Sequence, residues 1–443
     1  MSTGRPLLEV ENLKKHFPMT RGMMKEEIGR VRAVDGIDFT VHQGETFGLV
    51  GESGCGKSTA ARTILRLEDP TAGSVYFDGD DITEYDKAAL KRYRRNAQMI
   101  FQDPDSSFDP RMSVGESLEE PLIVHGMGDR SLRRHLVKDL LERVGLQAED
   151  INRYPHEFSG GQKQRIGLAR ALILNPSMLV ADEPVSALDV SVQAEILNLL
   201  DEFQDAFGLS IILISHNLGV VRHICDRVGV MYMGELVEVG RTEELFTDPK
   251  HPYTRSLISA IPSTDLDDRS QRVRLSGSVP DPADPPRGCR FHTRCPEVIP
   301  PDHYDLEQET WRSLMDFKQR VEERHLTIEQ LYVMLYPDED EEEMDVPESL
   351  PQEEVTSVLS GEYGLESGIG DRKAAEVFEA TSGHLAAGDL ETAIELLESE
   401  YRTVCQQETP PVTDEGPDHR SACHLRSEGA APLSGESESV ATD

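Results

Sequence analysis

Short, wholly apolar runs alternate with stretches of helical period along the first 240 residues. Glu45–Val50, Met99–Gln102, Ser177–Ala181 and Ser210–Ile214 are too short for helices and apolar on both faces, as buried parallel strands are. Residues 7–17 alternate and predict an edge strand, 33–41 predict a second strand, and Val75–Phe77 a short third. Val228–Met233 and Glu235–Val239 predict a hairpin around Gly234. The pattern turns helical from Asp103 to about Ala171, where Leu132, Leu136, Leu140, Leu141 and Val144 share one face. Lys163–Leu174 and Val190–Phe207 predict two more helices. Apolar strands alternating with helices predict an α/β sheet with ligand at the strands' C-terminal ends. Gln102, Asp182 and His216 all occupy such ends.

One strand runs directly into Gly51-Glu52-Ser53-Gly54-Cys55-Gly56-Lys57-Ser58-Thr59, which fits G-x-x-x-x-G-K-[S/T] at every defined position. A helix-forming stretch follows. Strand, glycine loop and helix together make a phosphate cradle: the glycines let backbone N–H groups face the anion, and the helix N-terminus adds partial positive charge. Lys57 is expected on the β- and γ-phosphates and Ser58 on Mg²⁺. Asp182, ending an apolar run, suits the Mg²⁺ shell, and Glu183 beside it is the candidate general base that orients water. By position alone His216 reads as a γ-phosphate contact or a structural histidine, Phe17 as an adenine-stacking ring or a half-buried strand residue, and Gln102, which can reach the metal or the water, carries no signal of its own.

Composition then narrows the setting. No run approaches the ~18 apolar residues of a membrane span, and Met1–Pro6 lead into no apolar leader, so no signal peptide is expected. The formal charge is −37, of which −28 falls in residues 296–443 and only −9 in 1–295. So acidic a chain is expected to repel nucleic acid. Arginine outnumbers lysine 34 to 11, and acid-rich, Lys-poor composition suggests a salt-rich cytoplasm. Of the six cysteines, Cys55 and Cys225 read as small packing residues, and disulfides are not expected in a cytosolic chain.

Phe158-Ser159-Gly160-Gly161-Gln162 resembles the signature sequence of ABC-type ATPases, with Phe158 where leucine is commonest. Gln102 resembles that family's Q-loop, Ser186-Ala187-Leu188-Asp189 its D-loop, His216 its H-loop and Phe17 its adenine-stacking aromatic, in the family's order across residues 7–240. The resemblance implies a P-loop ATPase domain with a mixed-sheet core over residues 1–248, its helical subdomain at about 103–171. It implies catalytic roles for Glu183, His216 and Gln102, with Mg²⁺ held by Ser58, Gln102 and Asp182. It also implies ATP contacts from Phe17, Gly51, Ser53, Gly54, Cys55, Gly56, Lys57, Ser58 and Thr59. Ser159, Gly160, Gly161, Gln162 and Asp189 are then expected to serve ATP held on an opposing subunit, so two cassettes close face to face. Phe101–Met112, Tyr154–Phe158, Ala181–Ser191 and His251–Arg255 are similar to the ATPases of oligopeptide/dipeptide importers, and Arg165–Ala171 with Gln162 resembles their F-type partner. That resemblance implies a translocase ATPase on the cytoplasmic side of the cell membrane. Its implied partners are a D-type ATPase, two permeases and, indirectly, an extracytoplasmic solute-binding protein. The solute is open among peptides, sugars and nickel. A DNA-repair or chromosome-organising ATPase is the alternative, but only about 125 residues separate Gly56 from Asp182, too few for its long coiled coil or zinc insertion.

Residues 249–288, rich in Pro, Asp and Ser, predict a linker. Gly288–Pro296 carries Cys289 and Cys295 and is similar to the cysteine segment of the same importers, whose four cysteines are associated with an iron–sulfur cluster. The resemblance implies a [4Fe-4S] site of Cys289, Cys295, Cys405 and Cys423. By spacing alone, cluster, zinc and no metal all remain open. The chain departs from the family by placing 109 residues between Cys295 and Cys405. This insertion, about 297–403, contains an amphipathic stretch at Trp311–Arg324, an acidic run at Asp338–Glu343 that reads as solvated disorder, and two short helices near 371–384 and 389–402. The second helix resembles one arm of a helical repeat. Residues 425–443 read as a disordered tail.

Overall fold

In the computed structural model, residues 5–21, 26–103, 107–186, 188–261, 275, 277–337 and 346–427 are described. Ala187, the acidic run Asp338–Glu343 and the tail from Glu428 onward lie outside them. The chain forms two compact units. The first comprises residues 1–272 with 281–284 and 414–421; the second comprises 273–280, 285–413 and 422–443.

The first unit starts with strands β1 (Pro6–Arg21), β2 (Glu26–His42) and β3 (Thr46–Val50). Helix α1 (Lys57–Ile64), strands β4 (Ala72–Phe77) and β5 (Asp80–Asp81), helix α2 (Lys87–Asn96) and strand β6 (Ala97–Ile100) follow. Helices α3 (Val114–Val124), α4 (Arg130–Arg143) and α5 (Gly160–Leu172) fill the predicted helical region. Then come β7 (Met178–Asp182), α6 (Val190–Phe207), β8 (Ser210–Ile214), α7 (Leu218–Ile224), β9 (Arg227–Tyr232), β10 (Glu235–Arg241), α8 (Thr242–Thr247) and α9 (Pro252–Ser259).

β6, β7, β8, β3 and β9 lie side by side and parallel, and β10 turns back antiparallel on β9. Every residue of β3, β7 and β8 is buried, which is why those strands read as continuous apolar runs rather than alternating ones. A second sheet, ordered β2-β1-β4-β5, packs Leu8, Leu13, Ile37 and Val41 into the same core as Phe47, Ile64 and Ile212. Here the expected edge strand is corrected. β1 is interior, paired with β2 along one side and β4 along the other. Its polar alternation reflects exposure of one sheet face, not of an edge.

The segment expected to be a linker also contains structure. In α9, Tyr253 is fully buried and its hydroxyl accepts from the Glu52 N–H at 2.9 Å. His251 caps that helix, its Nδ1 accepting from the Tyr253 N–H at 3.0 Å.

The second unit is helical. It holds α10 (Gln308–Glu322), α11 (Ile328–Leu335), α12 (Gln352–Glu362), α13 (Arg372–Ala386), α14 (Leu390–Glu400) and α15 (Val404–Gln407). Most of the long insertion is therefore a packed helical body. Trp311, Phe317, Phe378 and Tyr401 are fully buried in it, and Phe317 meets Phe378 edge-on at 4.9 Å. The Tyr304 hydroxyl donates to the Glu400 carbonyl at 3.3 Å, so the start and end of this body lie together. After it the chain makes β11 (Val412–Gly416) and β12 (His419–Ala422), and β12 pairs antiparallel with β10 at the edge of the large sheet. No helix among the described residues is long and apolar enough to cross a membrane.

Candidate nucleotide site

The loop Gly51–Gly56 leaves β3 and enters α1 at Lys57. Its glycines are required by crowding as well as by conformation. Gly51 and Gly56 have φ of +150° and +108°, and a Cβ there would come within 2.1 Å of the Met231 carbonyl oxygen and 1.9 Å of that of Ala33. Lys57 is buried, and its ammonium donates at 2.8 Å to both the Gly51 and Glu52 carbonyls. The loop is thus wrapped around its own cation, which must trade those carbonyls for phosphate oxygens when an anion enters. Burial pushes the Cys55 thiol up, and Lys57 pulls against that.

Three strand ends converge beside the loop. Ser58 Oγ donates to Asp182 Oδ1 at 2.9 Å. Burial raises the Asp182 carboxyl above the ordinary range; the Ser58 bond, Arg62 and Lys57 pull it down, and Glu183 pushes it up. A hydroxyl and a partly desolvated carboxylate at this spacing are hard oxygen donors, the chemistry that Mg²⁺ prefers.

Glu183 lies one residue past β7, with φ +47° in the left-handed region that a side chain rarely adopts. Its carboxylate is held from both sides. The Gln102 amide donates to Oε2 at 3.0 Å, and His216 Nδ1 lies 3.1 Å from Oε1. Gln102 follows β6 and His216 follows β8, so β7 sits between the two strands that deliver its partners. This brings Gln102, Glu183 and His216 into one constellation, with Asp182 and Ser58 beside it.

The cleft over the loop is lined by Ser53, Gly54, Gly56, Lys57, Ser58 and Thr59, with Gln102 and Glu183. Its lining also includes Val31, Arg32, Ala33, Met233, Gly234 and Pro282, none of which has a motif to mark it in the sequence. Phe17 is not part of the lining, but it stands directly opposite Val31 in the β1–β2 register, about one-third exposed, with Lys15 Nζ 4.8 Å from its ring.

Ser159, Gly160, Gly161, Gln162 and Asp189 are not part of the lining either. Ser159 caps α5, and Ser159 and Gln162 bond reciprocally: Ser159 N–H to Gln162 Oε1 at 3.0 Å, Gln162 N–H to Ser159 Oγ at 3.4 Å. Ser159 and Gly160 face solvent, so the first N–H groups of α5 are presented outward. Asp189 is exposed and does not cap α6 with its side chain.

In the second unit, fold topology reunites cysteines that the sequence separates. The Cys289 N–H donates to the Cys405 carbonyl at 2.7 Å. Burial raises the Cys295 thiol well above its usual value, and the nearness of Cys289, Cys405 and Cys423 adds to it. Arg312 from α10 donates to the carbonyls of His292, Thr293 and Cys295, fixing the turn that carries the first two cysteines. None of the four is joined in a disulfide. Among the described residues, no three His, Cys, Asp or Glu side chains stand in a group that could hold a metal ion.

Residues 34–186 match the family described as ABC transporter, residues 237–300 match Oligopeptide/dipeptide transporter, C-terminal region, and residues 308–418 match a Domain of unknown function (DUF8228). The chain is 50% identical over 297 residues to the oligopeptide transport ATP-binding protein AppF of Bacillus subtilis, covering 66% of this chain and 90% of that one. It is 48% identical over 291 residues to the dipeptide transport ATP-binding protein DppF of Escherichia coli, covering 66% and 87%. Among solved structures, the ATP-binding cassette MJ0796 bound to ADP and Pi is similar at 28% identity and a TM-score of 0.48, over 53% of this chain and 98% of that one. This chain therefore belongs to the ATP-hydrolysing subunits of ABC transporters, among those that carry the oligopeptide/dipeptide transporter C-terminal region.

Proposed function

We propose that this chain is the F-type ATPase of a peptide importer, working as one half of a heterodimer with a D-type ATPase beneath two permeases. The single observation that carries the catalytic part is the Glu183 carboxylate held between Gln102 and His216, next to the Asp182–Ser58 pair and the phosphate loop. In this reading Lys57 and the loop amides hold the β- and γ-phosphates, and Ser58, Asp182 and Gln102 hold Mg²⁺. Glu183 orients and deprotonates the attacking water, and His216 braces Glu183 and the γ-phosphate. The metal's contribution when bound is charge neutralisation on the phosphates.

The dimer part is supported by what the cleft lacks. Ser159, Gly160, Gly161 and Gln162 present a helix N-terminus to solvent away from the chain's own nucleotide, as a second anion nest for an opposing subunit would. A groove lined by Leu65, Leu67, Met99, Phe101, Pro121 and Arg170, with Leu67 and Phe101 well exposed, is a suitable seat for a permease helix. Peptide as the solute is supported by the similarity to AppF and DppF, an oligopeptide and a dipeptide transport ATP-binding protein. In domain terms, we assign residues 1–248 to the ATPase with its helical subdomain at about 103–171, 249–288 to the connection, and 289–443 to the C-terminal region with its insertion.

A [4Fe-4S] cluster on Cys289, Cys295, Cys405 and Cys423 is part of the same proposal. It is supported by the main-chain bond that brings Cys289 to Cys405 and by the affinity of thiolates for iron, while the described residues as they stand show no side-chain group that could hold a metal. Anaerobic purification with iron and sulfide analysis tests it, and iron-free protein refutes it.

The importer reading is tested by reconstitution. ATP turnover should be low for this chain alone and rise with the D-type partner and permeases, then rise again with peptide-loaded binding protein. Lys57→Ala should silence this chain's own site. Gly160→Asp should silence the site across the interface. Full turnover by the isolated chain would refute the heterodimer.

A further inference from the structure

The cleft over the phosphate loop has two chemically different walls. One is cationic and polar, built from Lys57, Ser58, Thr59, Gln102 and Glu183. The other is built from Val31, Ala33, Met233, Gly234 and Pro282, apolar side chains and main chain, with Arg32 the one charged residue among them. Pro282 comes from inside the matched C-terminal region, more than 200 residues beyond the loop. The stretch Asp281–Asp284 belongs to the first compact unit, although the residues on either side of it belong to the second.

This stretch is fixed in place. The Arg32 N–H donates to the Pro282 carbonyl at 3.2 Å, adding main chain alongside β2. Asp281 closes the turn: its Oδ1 accepts from the Ala283 N–H at 2.8 Å and its carbonyl from the Asp284 N–H at 3.1 Å. The wall is also bonded to the phosphate loop. The Asp35 N–H donates to the Gly234 carbonyl at 2.8 Å, and the Gly234 N–H donates to the Cys55 carbonyl at 2.9 Å. Phosphate cradle, β9–β10 turn, β2 and the Pro282 turn are therefore one hydrogen-bonded assembly.

We propose that Pro282 contacts the nucleoside of ATP, forming with Val31, Ala33 and Met233 the apolar wall against which adenine and ribose pack. The proposal rests on the reading of this cleft as the ATP site. The triphosphate and its metal take up the polar wall, and the nucleoside is left with the other one. A purine face needs a flat, apolar, rigid partner. A pyrrolidine ring offers one, leaves no N–H unsatisfied, and loses little freedom when the ligand binds. The Asp281–Asp284 turn thereby becomes part of the nucleotide site, and nucleotide occupancy holds that turn in place.

Binding of a fluorescent ATP analogue to the full chain, with displacement by ATP and by inorganic tripolyphosphate, tests this. Pro282→Gly should weaken ATP about tenfold and leave tripolyphosphate displacement within about twofold of wild type. Unchanged ATP affinity overturns the proposal. So does a tripolyphosphate affinity that falls in step with ATP, because the residue would then act through the loop. Hydrogen exchange on the unmutated chain gives a second reading, independent of how the variant folds. Residues 279–284 should gain protection with Mg-ATP but not with tripolyphosphate, and equal protection by both refutes a nucleoside contact. Lys57→Ala should weaken both ligands. If it weakens neither, the assignment of the cleft has failed, not that of Pro282.

Discussion

The chemistry turns on how single carboxylates are held. Glu183 is fixed by two side chains and an unfavourable backbone conformation, so its oxygens are aimed before ATP arrives. Glu183→Gln should lower ATP turnover about 10²–10³-fold while leaving nucleotide affinity close to wild type; phosphate release and fluorescent-nucleotide titration separate the two, and turnover within twofold of wild type would remove Glu183 from catalysis. Asp182 makes a different prediction. Burial raises its folded pKa, so its ionisation opposes folding: the stability it contributes is present below its unfolded pKa and lost as pH rises through the folded one. Asp182→Asn should raise the melting temperature of the metal-free chain by about 2 °C and abolish the further rise seen with Mg-ATP. A drop in the metal-free melting temperature would contradict this. Lys57, Ser58, Asp182 and Glu183 were legible in the sequence because each sits in a local pattern of strand, turn and helix. The grip of Gln102 and His216 on Glu183 was not, because it depends on β6, β7 and β8 being neighbours. Val31, Met233 and Pro282 were not legible at all, since a cavity wall of apolar side chains and main chain has no motif.

At the scale of elements, β10 gathers segments that lie far apart in the chain. Glu238 on β10 is fully buried, and burial pushes its carboxyl up. Bonds from His419, Thr254 and the Lys250 and His251 N–H groups outweigh that and hold it below its usual value. His419 lies on β12, so this carboxylate ties β10, the start of α9 and the returning hairpin to one point. Beside it His251 is fully buried, and burial pushes its pKa down to about 4. A depressed histidine contributes stability that is present above its unfolded pKa and lost as pH falls through the folded one. Stability to urea should therefore decline between about pH 6.5 and about pH 4. His251→Gln should flatten that decline. A histidine variant as acid-sensitive as wild type would put the sensitivity elsewhere. The hairpin itself was missed in the sequence because β11 and β12 are short and polar, and only the waiting edge of β10 makes them strands. β1 was misread as an edge for the converse reason: local alternation reports exposure of a face, whereas strand order is set by partners far away in the chain.

For the whole molecule, charge and the inserted body carry the predictions. With a formal charge of −37, repulsion opposes compaction at low salt. Raising KCl from 0.1 to 1 M shortens the screening length from about 10 to 3 Å, and the melting temperature should rise by about 4 °C; a flat or falling response would mean the charge is already compensated. The insertion starts and ends at one place, where Tyr304 bonds the Glu400 carbonyl and packs near Tyr401 at 6.0 Å between ring centres. Close ends make a domain removable. Replacing residues 305–400 by a short Gly-Ser linker should leave a folded chain with ATP affinity within about twofold of wild type; loss of ATP binding would show that the inserted body supports the cassette.

The sequence by itself carried the family: the phosphate loop, the Asp182-Glu183 pair, the signature segment and their order along the chain. Those features are local, and their physics is complete within a few residues. It also suggested an amphipathic stretch at Trp311–Arg324 and two short helices inside the insertion, but not that they pack into one body, because local pattern reports a face and not its partner. Only the tertiary structure decided which side chains grip Glu183, that the insertion closes on itself, that Cys289 meets Cys405 across it, and that Pro282 lines the cleft over the phosphate loop. Each of these depends on contacts between segments tens to hundreds of residues apart. Such contacts are selected by the burial of whole faces and by strand order, quantities that exist only once the chain has folded.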